Sequence, residues 1–150
     1  LGFGKGTSRS NFANANEKRD CGIFEEYAFY LIDLARKSSI VDQDFHLNID
    51  GNIYAFDSTT IDLCLSVFWW AKFRTTKGGI KLHTLYDVKT SIPTFIHVST
   101  ASVNDMNALD LLYYEPGGYY ILDRGYVDYE RLFRIHQSSA YFVVRAKDNL

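Results

Sequence analysis

Cysteine is scarce in this chain of 150 residues: there are two, Cys21 and Cys64. They lie far apart and match no metal-binding or redox spacing, so cysteine chemistry is excluded and a reducing, cytoplasmic setting is expected. Long apolar runs are lacking too. The longest, "LCLSVFWWA", is far too short to cross a bilayer, and no leader pattern is read, so no membrane partner is expected. Charge of one sign is also missing. A formal net charge of −2 carries no global signal for nucleic acid or membrane. His46, His83, His97 and His136 share no zinc-like spacing, and no internal repeat or low-complexity tract appears.

What the chain does have is aromatic bulk: eleven Phe, eleven Tyr and two Trp, enough to bury a sizeable core in one domain. It begins at Leu1 rather than Met and stops at Leu150 just after a strand-like run, "YFVVRAKDN". The reading is therefore a piece of a longer polypeptide, or an interrupted gene.

The first residues, Leu1 to Asn16, are rich in Gly, Ser and Asn and read as a loop or a broken first turn. From Glu17 to about Lys37, apolar residues at Ile23, Tyr27, Tyr30, Leu31 and Leu34 keep helical spacing, with Gly22 as an interior weakness. An N-terminal loop and helical segment over 1–40 and a second region over 41–150 follow. "FHLNIDGNIYAFDST" reads as two short strands around the Asp50-Gly51 turn signal. Ser58 to Thr76 is ambiguous. "GGIKLHTLYDV" and "IPTFIHVSTA" alternate as strands, with Pro93 expected to fix the turn between them. Asn104 or Asp105 caps a short helix, "MNALDLLYYE"; then come strand "YYIL", helix "VDYERLFRIHQ" and strand "SAYFVVRAK". A three-strand meander followed by strands separated by helices predicts an α/β fold: a mixed sheet with flanking helices.

The stretch "GGYYILDRGYVDYERLF" carries the functional question. A greasy strand stops at an acid, Asp123, followed by Arg124 and Gly125. An acid there caps a turn in many proteins. A second reading opens because the first meander strand, "IYAFDST", also ends in an acid, Asp57. Parallel neighbours joined by a right-handed crossover place their carboxyl ends on one edge, where sites form in open α/β sheets. Carboxylates roughly 4–6 Å apart repel unless a cation lies between them. Hard divalent ions such as Mg²⁺ or Mn²⁺ take carboxylate oxygens and leave room for phosphate oxygens. The pair therefore points to metal-dependent phosphoryl chemistry, with turn capping as its plain alternative.

The strings "AFDSTTIDL", "KGGIKLHTLYD", "TASVNDMNALD", "YILDRGYVDYERL" and "YFVVRAKDN", in this order, resemble the catalytic core of DDE transposases. Among bacterial insertion sequences the chain is most similar to the fourth large family, whose signature pairs a D-S-T strand end with a later D-x-G-Y. The likeness covers about residues 17 to 150. It implies a ribonuclease H-like fold, truncated at its C-terminal side, with sheet order 3-2-1-4-5 and only the second strand antiparallel. It implies that Asp57 and Asp123 are the first two catalytic, metal-holding acids. The third would be a glutamate in a Y-x2-R-x3-E-x6-K pattern beyond residue 150.

Within the chain, Asp148 and Glu130 are the other acids weighed for that third place. Asp148 follows a strand predicted beside that of Asp123, whereas Glu130 sits two turns into a helix and suits a salt bridge. No acid lies between Asp62 and Asp87, while Lys72, Arg74, Lys77 and Lys81 gather around Phe73 and Gly78-Gly79. Such a basic, aromatic stripe suits DNA or a solvated loop. Arg124, Arg145 and Lys147 join it as candidate phosphate contacts. Ser58 and Thr59 lack a histidine relay and are expected to hydrogen-bond around Asp57; His83 reads as a core histidine. The resemblance implies a transposase that cuts and joins phosphodiesters at insertion-sequence ends, binds end and target DNA, works as a homodimer when whole and is nucleoid-associated when on DNA. It leaves this piece short of its third acid and inactive alone. The alternative is a non-catalytic DNA-binding or dimerising remnant of such an element.

Overall fold

A computed structural model describes residues 6–38, 48–64, 66, 69–74 and 77–146. The chain divides into two units, Leu1–Ser38 and Ser39–Leu150. In the first, residues expected as a loop form a helix, α1 (Arg9–Lys18), because Ser8 caps it by accepting from the Asn11 N–H at 3.2 Å. The single helix expected from Glu17 is broken: α2 runs Gly22–Lys37. Gly22 is its first residue rather than an interior one, and its N–H is held by Asp20 Oδ1 at 2.8 Å. No described helix is long and apolar enough to cross a membrane.

The second unit is built on a six-stranded sheet. Its strands are β1 (Ile53–Leu63), β2 (Lys72–Arg74), β3 (Lys77–Asp87), β4 (Ile92–Thr100), β5 (Tyr119–Leu122) and β6 (Tyr141–Val144). β3 pairs antiparallel with β1 on one side and with β4 on the other, while β5 and β6 continue parallel from β1. In order of appearance the five main strands read 3-2-1-4-5 with only the second antiparallel, the ribonuclease H-like arrangement the sequence implied. The sixth strand, β2, emerges from the ambiguous stretch and pairs with the start of β3. The earlier of the two strands expected around Asp50-Gly51 falls largely on residues outside the described ones.

Alternation puts Tyr54 and Phe56 of β1, Leu85 of β3, and Tyr120 and Leu122 of β5 on one face. That face is covered by Leu132 and Ile135 of α3 (Tyr129–Gln137) and by Ala108 and Leu109. The latter two ride on a 3₁₀ helix, Asp105–Leu111, where the sequence suggested an ordinary helix; Asn104 caps it, accepting from the Met106 N–H. Asp128 caps α3 through the Arg131 N–H at 3.0 Å. Arg131 then grips Asp110 with two nitrogens, Nε at 3.1 Å and Nη2 at 2.7 Å, pinning α3 to the 3₁₀ helix.

The turn between β3 and β4 is made by Asp87 rather than by Pro93. Its buried carboxylate accepts from the N–H groups of Lys89 at 2.9 Å and Thr90 at 3.3 Å, and Ser91 takes a left-handed φ of 58°. Pro93 lies inside β4 opposite Tyr86, where the ladder slips register. A bulge is where a strand tolerates a residue without an N–H.

Candidate active site at the carboxyl edge of the sheet

The parallel ladder between β1 and β5 ends at the pair Phe56–Leu122. Asp57 is the next residue of β1 and Asp123 the first residue past β5, so alternation turns both away from the core face of Phe56 and Leu122. Both are exposed. Asp123 keeps an extended backbone (φ −68°, ψ 159°) and then opens a 3₁₀ turn, Arg124–Tyr126, accepting from the Gly125 N–H at 2.9 Å. Asp57 Oδ1 accepts from the Ser58 N–H at 2.8 Å. Asp123 thus caps the turn, as its plain reading expected, while its side chain stays exposed.

One expectation at Asp57 needs correction. The strand does not end there; it runs on to Leu63, paired with β3 as far as Gly78. The parallel neighbour β5 stops while the antiparallel neighbour continues, so Asp57 sits at a fork in the sheet rather than at a strand tip. A β1–β3 ribbon projects past the acids, and β2 pairs with its far end.

Below the acids, on the core side, lies a polar layer. Tyr126 is buried and packs edge-on against Phe56 at 5.3 Å. Burial raises its pKa; the Ser58 hydroxyl opposes this, while Asp105, Asp57 and Asp123 reinforce it. Ser58 faces His83 across the β1–β3 ladder. His83 is fully buried, with Nε2 against Ser99 Oγ at 2.9 Å, the core histidine expected from its alternation. Its pKa is lowered, chiefly by desolvation.

The basic candidates separate. Lys81 has a side chain only 12% exposed, and its ammonium is engaged by Asp105 Oδ1 at 2.9 Å and the Val103 carbonyl at 2.9 Å. It is a strut between β3 and the 3₁₀ helix. Lys72 is exposed on β2, and Arg74 and Lys77 face each other as backbone partners where β2 meets β3. Arg124 and Arg145 are exposed; Arg145 follows Val144, the partner of Leu122, and so reaches the edge that carries Asp123. Lys147 and Asp148 lie outside the described residues. Glu130 pairs with Arg134 at 2.8 Å on α3, the salt bridge the sequence suggested.

Among the described residues no group of three or more His, Cys, Asp or Glu is arranged to hold a metal ion. The two edge aspartates are nevertheless the right chemistry for one: hard oxygen donors, exposed, with one oxygen of each accepting a backbone N–H. Sequence reasoning missed Tyr126 as a core residue packed on Phe56 beside the acids and took Asp105 only as a cap. The tyrosine was marked by its place in D-x-G-Y; nothing local marked the aspartate, whose partner Lys81 is distant in sequence.

A mixed sheet of order 3-2-1-4-5 with flanking helices, an acid following each strand's last rung where its parallel ladder ends, fits a ribonuclease H-like domain of the DDE class. Residues 49–150 match the family model of the transposase DDE domain, and the chain belongs to that family. It is 30% identical over 138 residues to a Sinorhizobium fredii protein named as a transposase, covering 92% of this chain and 37% of that one. It is 28% identical over 147 residues to a Synechocystis protein named as a transposase for insertion sequence element IS4SA, covering 94% of this chain and 40% of the other. A Geobacillus stearothermophilus protein named as a transposase for element IS5377 is 31% identical over 101 residues, 63% of this chain and 25% of its own length. The chain spans less than half the length of these relatives. No solved structure matches it.

Proposed function

We propose that the chain carries the metal-binding edge of a transposase that cleaves and rejoins phosphodiesters at insertion-sequence ends. The observation that supports this most is the placement of Asp57 and Asp123 one step beyond the Phe56–Leu122 pair, on one face. These two residues would hold Mg²⁺ or Mn²⁺. Bound there, the ion would supply an activated water or hydroxyl and charge stabilisation at the phosphate. The chain's own part is positioning, which does most of the work in phosphoryl transfer. The β1–β5 ladder brings together the strands that lead to the acids, and Arg124 and Arg145 would set positive charge at the same edge for DNA phosphates. Lys72, Arg74 and Lys77, on the ribbon that projects past the acids, extend that footprint along the strand direction. Homodimer formation and action on both end and target DNA belong to the same reading.

The test is Mn²⁺ binding followed by electron paramagnetic resonance. The chain should bind Mn²⁺ weakly, as a site with few protein ligands leaves the ion largely hydrated. Asp57→Ala and Asp123→Ala should each abolish the binding. With two acids in place of three, the chain alone should leave end DNA uncut in Mn²⁺. Unchanged Mn²⁺ binding in both alanine variants would overturn the reading. Specific cleavage by the chain, lost in Asp123→Ala, would show instead a complete site within these residues.

A further inference from the structure

β6 closes one side of the sheet, and among the described residues no strand pairs with its outer edge. The Tyr141 N–H donates to the Gly118 carbonyl at 2.8 Å, so Tyr141 and, by alternation, Val143 turn their backbone groups toward β5. Phe142 and Val144 therefore point N–H and C=O outward. Sheet edges are ordinarily blunted by a charge, a proline or a bulge, and "YFVV" has none of these.

Both flanks of this edge are apolar. On the side covered by α3, Phe142 and Val144 floor an open groove of about 480 Å³ walled by Tyr129, Phe133 and His136. On the other side Tyr141 stacks on Tyr119 at 4.9 Å. Tyr129 is 68% exposed, Phe133, Tyr141 and Val143 are each 56% exposed, and Phe142 is 39% exposed. Those exposures amount to roughly 500 Å² of apolar surface, so two copies would bury about 1,000 Å², the lower limit for a specific interface.

We infer that β6 is a self-association edge, on which two copies pair antiparallel about a two-fold axis at Val143 and join their sheets. Open backbone groups call for a strand as partner. A two-fold contact needs only one surface and closes on itself. With Val143 opposite its own mate, Phe142 of each copy faces Val144 of the other, and every outward N–H and C=O of both residues is satisfied. A register centred on Phe142 is worse. It would set Val144 against Ala140, whose N–H is already held by the Ile135 carbonyl at 3.2 Å. The chosen register brings no charge on β6 against its mate and lays the two α3 grooves side by side. This gives a contact to the homodimer of the functional reading and rests on that part of it. At the area available the dimer is weak, with a dissociation constant on the order of 10 µM.

Sedimentation equilibrium of the chain on either side of that concentration tests it, and should show monomer passing to dimer and nothing larger. Val143→Lys sets like charges directly opposite each other and should weaken the dimer about 10-fold or more. Melting of the dilute chain should not change, because Val143 lies outside the core. Val143→Thr keeps a β-branched side chain and should retain the dimer. The central pair offers a second measurement, since partners without mutual hydrogen bonds lie about 4.5 Å apart at Cα, within disulfide reach. With Cys21 and Cys64 replaced by Ser, Val143→Cys should cross-link on mild oxidation, and Ser102→Cys, exposed elsewhere, should not. A chain that stays monomeric refutes the edge and leaves the metal site, which Mn²⁺ tests, standing. A dimer unchanged by Val143→Lys keeps the homodimer and refutes the edge, as does association that grows beyond dimers. Should Val143→Lys fail to fold, the cysteine variants decide alone: a cross-link at Val143→Cys but not at Ser102→Cys supports the edge, and equal yields refute it.

Discussion

Gly51 faces the carbonyl of Gly117 so closely that a Cβ built on it would lie 2.4 Å from that oxygen. Gly51 also has φ +91°, in the left-handed region. The two glycines bring the start of β1 against the turn before β5, next to the first rung of the β1–β5 ladder. Gly51→Ala should therefore cost about 3 kcal/mol from backbone strain and overlap together. Gly117→Ala meets open space at φ +78° and should cost only about 1 kcal/mol. Urea midpoints of the two variants check the ranking.

His83 makes stability depend on pH in a definite direction. Its folded pKa lies below the ordinary 6.5, first from desolvation and then from His97 and Lys81, with Asp105 opposing. The unfolded chain therefore takes up this proton first. The contribution is complete above about 6.5 and is lost as pH falls from there through the lowered folded value. Denaturation at pH 7.5 and pH 5.0 should show a larger loss for the native chain than for His83→Gln. Equal losses would remove His83 as the cause.

Four tyrosines should resist alkali. Burial raises the pKa of Tyr54, Tyr120 and Tyr126, and pushes Tyr114 up to about 12. Glu115, which accepts from the Tyr54 hydroxyl at 2.6 Å, adds to the rise at Tyr54. Because the folded form keeps these phenols neutral, their stabilisation is intact below about 10 and lost as pH rises through the folded values. Phenolate absorbance should show part of the tyrosine signal arriving late, together with unfolding. Tyr54→Phe should reduce the late fraction.

Arg131 offers a test of the clamp between α3 and the 3₁₀ helix. Arg131→Ala should cost about 1 kcal/mol, since the pair with Asp110 is partly exposed. Arg131→Lys should recover little, because an ammonium lacks the forked geometry. Thermal melts separate these outcomes.

The aspartates should behave as one unit. If Asp57→Ala and Asp123→Ala each remove Mn²⁺ binding, the double variant has nothing further to lose, so the effects are far from additive. A double variant much worse than either single would mean two independent sites.

Much of this molecule was legible in its local chemistry. Alternation in "IYAFD", "KLHTLYD" and "YYIL" and the cap at Asn104 are short-range signals, and they placed the strands, while the strand order came with the family resemblance. The α1 helix escaped notice because its Asn- and Ser-rich residues have weak intrinsic preference and only the Ser8 cap marks it. Where β1 stops was beyond local reading. "STTIDL" extends as a strand because β3 supplies a partner as far as Gly78, a pairing set by residues far away in the chain. Lys81 looked like a surface charge among other basic residues. Only folding brings Asp105 to it and turns it inward. The sequence by itself determined which acids stand at the two positions proposed to hold a hard cation. Which edge of the sheet they share was decided by the tertiary structure, because β1 and β5 are distant in the chain and meet only through a parallel ladder.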